Sequence, residues 1–129
     1  MSQENVELVR KWVWAFVNDT DTFLELTHPE IEWAPFEENH TVFHGHEGAM
    51  QIRTEWLASF DEQRIVIEDI VDGGDNVVSA AHLTGRGKGS GAVVDVWIYT
   101  HIKVRDGKAA YLFEYTDRAE ALRAAGIKE

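Results

Sequence analysis

The sequence predicts an α+β domain in which three N-terminal helices pack into a strongly curved, mainly antiparallel sheet, with a short helix at the C-terminus. Three observations carry this. Apolar residues recur at helical spacing through the first half, the period changes to two after residue 60, and the tail returns to a helix followed by a glycine. At 129 residues the chain suits one domain with one hydrophobic core, and no repeat, linker or low-complexity stretch divides 1–129.

In the first segment Val6, Val9, Val13, Phe16 and Val17 share one helical face, and Ser2 and Glu4 favour its N-terminus; the helix should end at Asn18-Asp19. A second, short helix starts from Asp19 or Thr20, turns Phe23, Leu24 and Leu26 inward and stops at His28, because Pro29 bars its predecessor from the α region. A strand is expected over 30–36 and a loop over 37–45. Ala49, Ile52, Trp56, Leu57 and Phe60 then predict a third helix over 46–60. Strands follow at 64–71, 76–86, 92–105 and 108–116. The turn signals between them are Asp72-Gly73-Gly74-Asp75, a Gly-rich tip at 85–91 and Asp106-Gly107, which makes an antiparallel meander. Arg118–Ala125, capped by Gly126, is the closing helix.

Composition excludes several functions. Twelve basic against 23 acidic residues give a net charge of -11, which repels nucleic acid and anionic membrane surfaces. With no cysteine, the chain has no disulfides, thiolate nucleophiles or thiolate metal ligands. The polar N-terminus lacks an apolar signal core and no run reaches the ~18–20 apolar residues that span a bilayer, so a cytoplasmic protein is expected.

The element order, with "GHEGAM" opening helix three, "VRDGK" in the last hairpin and "YTDRAEALRAAG" at the end, resembles SnoaL-like (polyketide cyclase-like) proteins of the nuclear transport factor 2-like superfamily. The resemblance implies a cone-shaped α+β barrel, a deep cavity between helices and sheet, and dimerisation through the outer face of the sheet. It leaves the activity open, because this fold carries isomerases, cyclases, hydrolases, dehydratases and binding domains. Matched to ketosteroid isomerase, Trp12, Ala34 and Thr100 occupy the positions of its catalytic tyrosine and two acids, and none can take the acid or base role. The aspartate and histidine of SnoaL-type cyclases likewise find no carboxylate at an expected pocket-facing strand position.

Alternation assigns the strand faces. In 92–105 the core face is Val94, Val96, Ile98, Thr100, Ile102 and Val104, and the opposite face carries Asp95, Trp97, Tyr99, His101, Lys103 and Arg105. The resemblance supplies the phase of the other strands, putting Val78, Ala80, His82 and Thr84, and Tyr111, Phe113 and Tyr115, into the cavity. His82 is then the candidate base, with Tyr115 or Tyr111 as a catalytic hydrogen-bond donor, or else a core histidine bonded to a tyrosine hydroxyl or a backbone carbonyl. Trp12, Phe16, Trp33, His44, Trp56, Phe60, Thr100, Tyr111 and Phe113 form the expected ligand-binding set, and no cofactor is implied.

Glu37, Glu38, His40, His44 and His46 form a second cluster, read as cavity rim rather than a metal site, with His44 as a rim contact to ligand. The glycines of 85–91 precede a strand and not a helix, so they read as a hairpin tip instead of a phosphate cradle. Trp97 and Tyr99 side by side on the outer face predict a homodimer, or cover by a tail of the same chain. Two functions stay open: an acid/base isomerase, cyclase or hydrolase-type enzyme acting on an apolar aromatic or polycyclic substrate, or a non-catalytic hydrophobic-ligand-binding domain.

Overall fold

The computed structural model describes residues 2–35 and 41–128. Its elements run α1 (Ser2–Asn18), α2 (Thr20–Leu26), β1 (Thr27–Ala34), β2 (Phe43–His44), α3 (Gly45–Ala58), β3 (Phe60–Gly73), β4 (Asn76–Gly87), β5 (Val93–Arg105), β6 (Lys108–Tyr115) and α4 (Arg118–Ala125). The strands form one six-stranded sheet in the order β2-β1-β6-β5-β4-β3, antiparallel except for the β1–β6 pair. The expected α+β architecture therefore stands, but the curved sheet stays open between its edge strands β2 and β3. Among the described residues no helix is long and apolar enough to cross a membrane.

Local chemistry sets the helix ends. The Asp19 side chain accepts hydrogen bonds from the Thr22 hydroxyl at 2.9 Å and the Thr22 backbone N–H at 3.3 Å, which caps α2 and lowers the Asp19 pKa. Asp117 caps α4 in the same way through the Ala119 N–H, and Gly126 ends it in the left-handed region at φ 72°. The second helix stops two residues earlier than expected, because Thr27 already pairs with β6. This starts β1 at Thr27 where the sequence suggested 30; Phe36, its expected end, lies outside the described residues.

The helices bury their apolar stripes against the concave face. Val9, Trp12, Ala15 and Phe16 of α1, Phe23 of α2 and Ala49 and Ile52 of α3 meet Ile31, Trp33, Val77, Ile102, Val104, Ala109 and Leu112 of the sheet. Two buried polar groups in this core are partnered: Trp12 Nε1 donates to Thr27 Oγ1 at 2.9 Å, and that hydroxyl donates to the Phe23 carbonyl at 2.6 Å.

Strand faces are decided by pairing register. After the Asp106-Gly107 turn, Arg105 pairs with Lys108 and Val104 with Ala109, but Lys103 pairs with Tyr111. Ala110 is the extra residue, and from there on the faces of β6 are exchanged. Ile102 now stands opposite Leu112 and Thr100 opposite Glu114, so Leu112 and Glu114 point inward while Tyr111, Phe113 and Tyr115 point outward, contrary to expectation. β4 is also out of the expected phase. Its register sets Ser79 opposite Thr100 and Ala81 opposite Ile98, so Ser79, Ala81 and Leu83 face in and His82 faces out, opposite Trp97. The run Val77-Val78-Ser79-Ala80 is buried on both faces, which removes the polar alternation that would have given the phase.

The second face is covered by α4. Ala121 and Leu122 pack on Val78, with Tyr99, Tyr115, Val71 and Ile127 around them. Tyr99 thus lies against the tail of its own chain, and of the two residues expected at a dimer contact only Trp97 is open, at 42% exposure.

Candidate functional site

Between α1, α3 and the concave face lies a cavity of about 350 Å³. Trp12, Val13 and Phe16 come from α1, Ile52 and Trp56 from α3, and Trp33 from β1, followed by Pro35. The sheet supplies Phe60 and Ile65 of β3, Ser79, Ala81 and Leu83 of β4, Val94 to Ile102 by alternation along β5, and Leu112 and Glu114 of β6. The aromatic rings form a connected wall: centroids lie 5.0 Å apart for Trp12 and Trp33, 5.7 Å for Phe16 and Trp33, 5.8 Å for Phe16 and Trp56, and 5.2 Å for Trp56 and Phe60. A wall of this kind takes flat apolar ligands by area burial and stacking.

Among the described residues one formal charge stands in this wall, the carboxylate of Glu114. Trp33 Nε1 donates to Glu114 Oε2 at 2.9 Å, joining β1 to β6 across the cavity end and fixing the carboxylate's direction. Thr100 is the cross-strand neighbour of Glu114 and Ser79 that of Thr100, so the three polar side chains form one row across β6, β5 and β4 in an otherwise apolar lining. Trp56 Nε1 is tied outside this row, to Gln63 Oε1 at 2.6 Å.

Of the residues expected at the site, Trp12, Phe16, Trp33, Trp56, Phe60 and Thr100 stand in the cavity wall together. His82, Tyr115, Tyr111 and Phe113 do not: the bulge at Ala110 turns the three β6 residues to the convex face, and the unbroken β4–β5 pairing turns His82 there. There His82 Nε2 lies 2.6 Å from Asp95 Oδ1 and its ring stacks on Trp97 at 4.8 Å and 7°. Burial raises the Tyr111 and Tyr115 hydroxyl pKa values, with Tyr115 and Glu32 adding to the first and Glu120 to the second. His44 is also outside the wall: it pairs with Glu32 at the sheet edge and is exposed. His46 Nε2 donates to the Thr27 carbonyl at 2.7 Å, so the two histidines do not converge; Glu37, Glu38 and His40 lie outside the described residues. No three His, Asp or Glu side chains among the described residues gather as metal ligands.

Glu114 is the residue that strand parity missed. An ideal two-residue hairpin would set Phe113 opposite Thr100, whereas the bulge at Ala110 sets Glu114 there. The sequence holds one hint, since Glu114 is an isolated acid in the aromatic run Tyr111-Leu112-Phe113-Glu114-Tyr115.

The model of the SnoaL-like domain matches residues 9–112 of the chain. The protein belongs to the SnoaL-like domain family. No curated protein matches this SnoaL-like chain significantly. Among solved structures it is similar to a SnoaL-like protein from Jannaschia sp. CCS1, at 24% identity and TM-score 0.80 over 99% of this chain and 95% of that one. A protein of ketosteroid isomerase-like fold from Catenulispora acidiphila aligns at 18% identity and TM-score 0.75, covering 95% and 94%. TerC, crystallised with polyporic acid, aligns at 19% identity and TM-score 0.76, covering 95% and 98%. At these identities the likeness establishes the fold of the SnoaL-like chain.

Proposed function

We propose that the protein is an acid/base enzyme whose aromatic cavity binds a small, ring-containing apolar substrate and whose Glu114 carboxylate transfers the proton. The observation that carries this reading is a carboxylate that stands alone among the described residues of an apolar wall and accepts from Trp33 Nε1 at 2.9 Å. Glu114 takes a proton from the bound substrate and, as the acid, returns it to a second atom of the same molecule. Isomerisation results when the second atom is carbon, and ring closure is completed when it is an alkoxide oxygen. Walls of this composition exclude water, which would otherwise compete for the proton. The Trp33 N–H acts as a positioning group. The likeness to a SnoaL-like polyketide cyclase candidate from Jannaschia and to TerC co-crystallised with polyporic acid supports a ring-containing organic ligand.

The test is hydrogen exchange of 2-tetralone in D2O followed by NMR. The parent protein should accelerate exchange of the ring hydrogens beside the carbonyl, and Glu114→Gln should lower that rate by about 10²–10⁴-fold without weakening binding to match. Binding of 2-tetralone with no acceleration by the parent would reject the enzyme in favour of a hydrophobic-ligand-binding domain, the reading favoured by the otherwise apolar lining.

We also infer that a second copy of the chain covers Trp97 in a homodimer. Trp97 is 42% exposed on the convex face, braced by the His82 ring, with Val66 in the same cross-strand row. An apolar patch of this kind on a sheet face marks an interface.

A further inference from the structure

Strand β5 is paired on both sides over its second half alone. Its neighbour β6 reaches Tyr99, which stands opposite Tyr115, and among the described residues no strand pairs with 93–98 on the side away from β4. The direction of the free backbone groups follows from the hairpin. The Gly87 N–H donates to the Ala92 carbonyl at 2.9 Å, so by alternation Val94, Val96 and Ile98 turn their N–H and carbonyl groups to β4, whereas those of Val93, Asp95 and Trp97 point off the sheet edge. The edge is also apolar. Val93 is 75% exposed, Trp97 42% and Val96 38%, three of the five large apolar side chains that stand exposed among the described residues. Its one charge, Asp95, is held by His82 of the same chain, and no proline, lysine or bulge guards 93–98, so the edge is open to another strand. Val94 and Val96 belong to the cavity wall as well, and the exposure of Val96 marks the side on which that wall stops.

We propose that the strand covering this edge is β5 of a second copy, paired antiparallel about a two-fold axis at Val94, so that each copy continues the other's cavity wall. The proposal rests on the cavity and homodimer readings given above and assigns the contact between the copies.

The chemistry of the edge selects both this partner and this register. Directly opposed residues must share a face of the joined sheet, so the axis passes through a residue of the strand. At Asp95 it would set two carboxylates opposite each other, which is destabilising. At Val96 it would bring the partner subunit's Val93 to Tyr99, where Tyr115 already lies. At Val94 neither conflict arises. Val93 then exchanges N–H and carbonyl hydrogen bonds with the partner subunit's Asp95, and the symmetry repeats the pair. On the concave side Val94 meets the partner subunit's Val94, and Val96 meets the partner subunit's Ala92, which carries an apolar surface past the edge. On the convex side Trp97 lies opposite the partner subunit's Gly91, which has no side chain to hold the ring off. Charge does not oppose the contact either. Although the chain carries -11, Arg64, Arg86 and Lys88 balance Asp61, Glu62 and Asp95 at this end of the sheet.

The test uses the whole chain and combines sedimentation with amide hydrogen exchange followed by NMR. The parent should sediment as a dimer in which the Val93 and Asp95 amides are protected, and dilution to monomer should release both while Val94 and Val96, bonded to β4, stay protected. Asp95→Pro deletes an N–H that points off the edge and spares the β4 ladder, so it should give a folded monomer, with thermal melting as the check on folding. Asp95→Asn, which loses the same charge and keeps the N–H, should remain a dimer. Tetralin, an apolar ring hydrocarbon, should bind the Asp95→Pro monomer about tenfold more weakly than the parent by tryptophan fluorescence, the effect of roughly 50 Å² of ligand surface left open to water. A parent dimer whose Val93 and Asp95 amides exchange freely, or a folded Asp95→Pro dimer, would overturn the edge pairing and leave a homodimer built face to face over Trp97. A monomeric parent would overturn the homodimer reading and this proposal together. Equal tetralin affinity in dimer and monomer would overturn the shared cavity wall, and failure of the folded parent to bind tetralin would overturn the cavity reading itself.

Discussion

His101 should make the protein acid-labile through one identifiable imidazole. It lies on the convex face of β5, 3% exposed, with Nε2 2.8 Å from Asn76 Oδ1 and its ring edge-on to Tyr111 at 5.3 Å. Burial, with repulsion from the Lys103 ammonium added, lowers its pKa from 6.5 to about 4. The unfolded chain binds a proton here below about pH 6.5, whereas the folded chain does so only near pH 4. Between those values the unfolded state holds more protons, so stability falls as pH falls, and below pH 4 this residue causes no further loss. The whole difference is worth about 3 kcal/mol, of which about 2 kcal/mol is gone at pH 5. Urea unfolding at pH 7.5 and pH 5 measures it, with His101→Gln as the control because glutamine keeps an N–H for Asn76 and does not titrate. The parent should lose about 2 kcal/mol more than the variant over this interval, with contributions of the other histidines cancelling in the comparison. Parallel losses in parent and variant would refute the reasoning.

Four further outcomes follow from the geometry. Trp33→Phe, which removes the N–H held by Glu114, should lower the turnover of 2-tetralone exchange more than it raises KM; a pure KM effect would mean the hydrogen bond does not orient the carboxylate. Ala81→Phe should fill the cavity and abolish tetralin binding with thermal melting kept within a few degrees, and unchanged binding would mean the ligand sits elsewhere. Gly73→Ala should destabilise the fold by about 1–3 kcal/mol in urea titration, since a Cβ there meets the Asn76 carbonyl oxygen at 2.6 Å and Ile127 Cδ1 at 2.7 Å; a neutral result would mean the β3–β4 turn can shift. Trp97→Glu should convert the proposed dimer to monomer in sedimentation at micromolar concentration, and a parent that already sediments as a monomer would dismiss the interface.

What the sequence by itself determined was the identity and order of the elements, because these depend on local chemistry. The period of Val6, Val9, Val13 and Phe16, the caps at Asp19 and Asp117 and the left-handed Gly126 each act within a few residues, and α1, α2 and α4 form as their local signals require. The aromatic wall was legible too, since Trp12, Phe16 and Trp56 lie on helix stripes whose direction follows from spacing alone. Only the tertiary structure decided which face each later strand turns to the cavity. A strand's side-chain period is two, so one added residue exchanges every position, and that residue, Ala110, is set by pairing with β5 and β1 rather than by its own neighbours. β4 gave no local signal because α4 buries its second face from the far end of the chain. The carboxylate went unseen for the same reason: the register puts Glu114 inside and His82 outside, and register is a property of paired strands that no single strand carries.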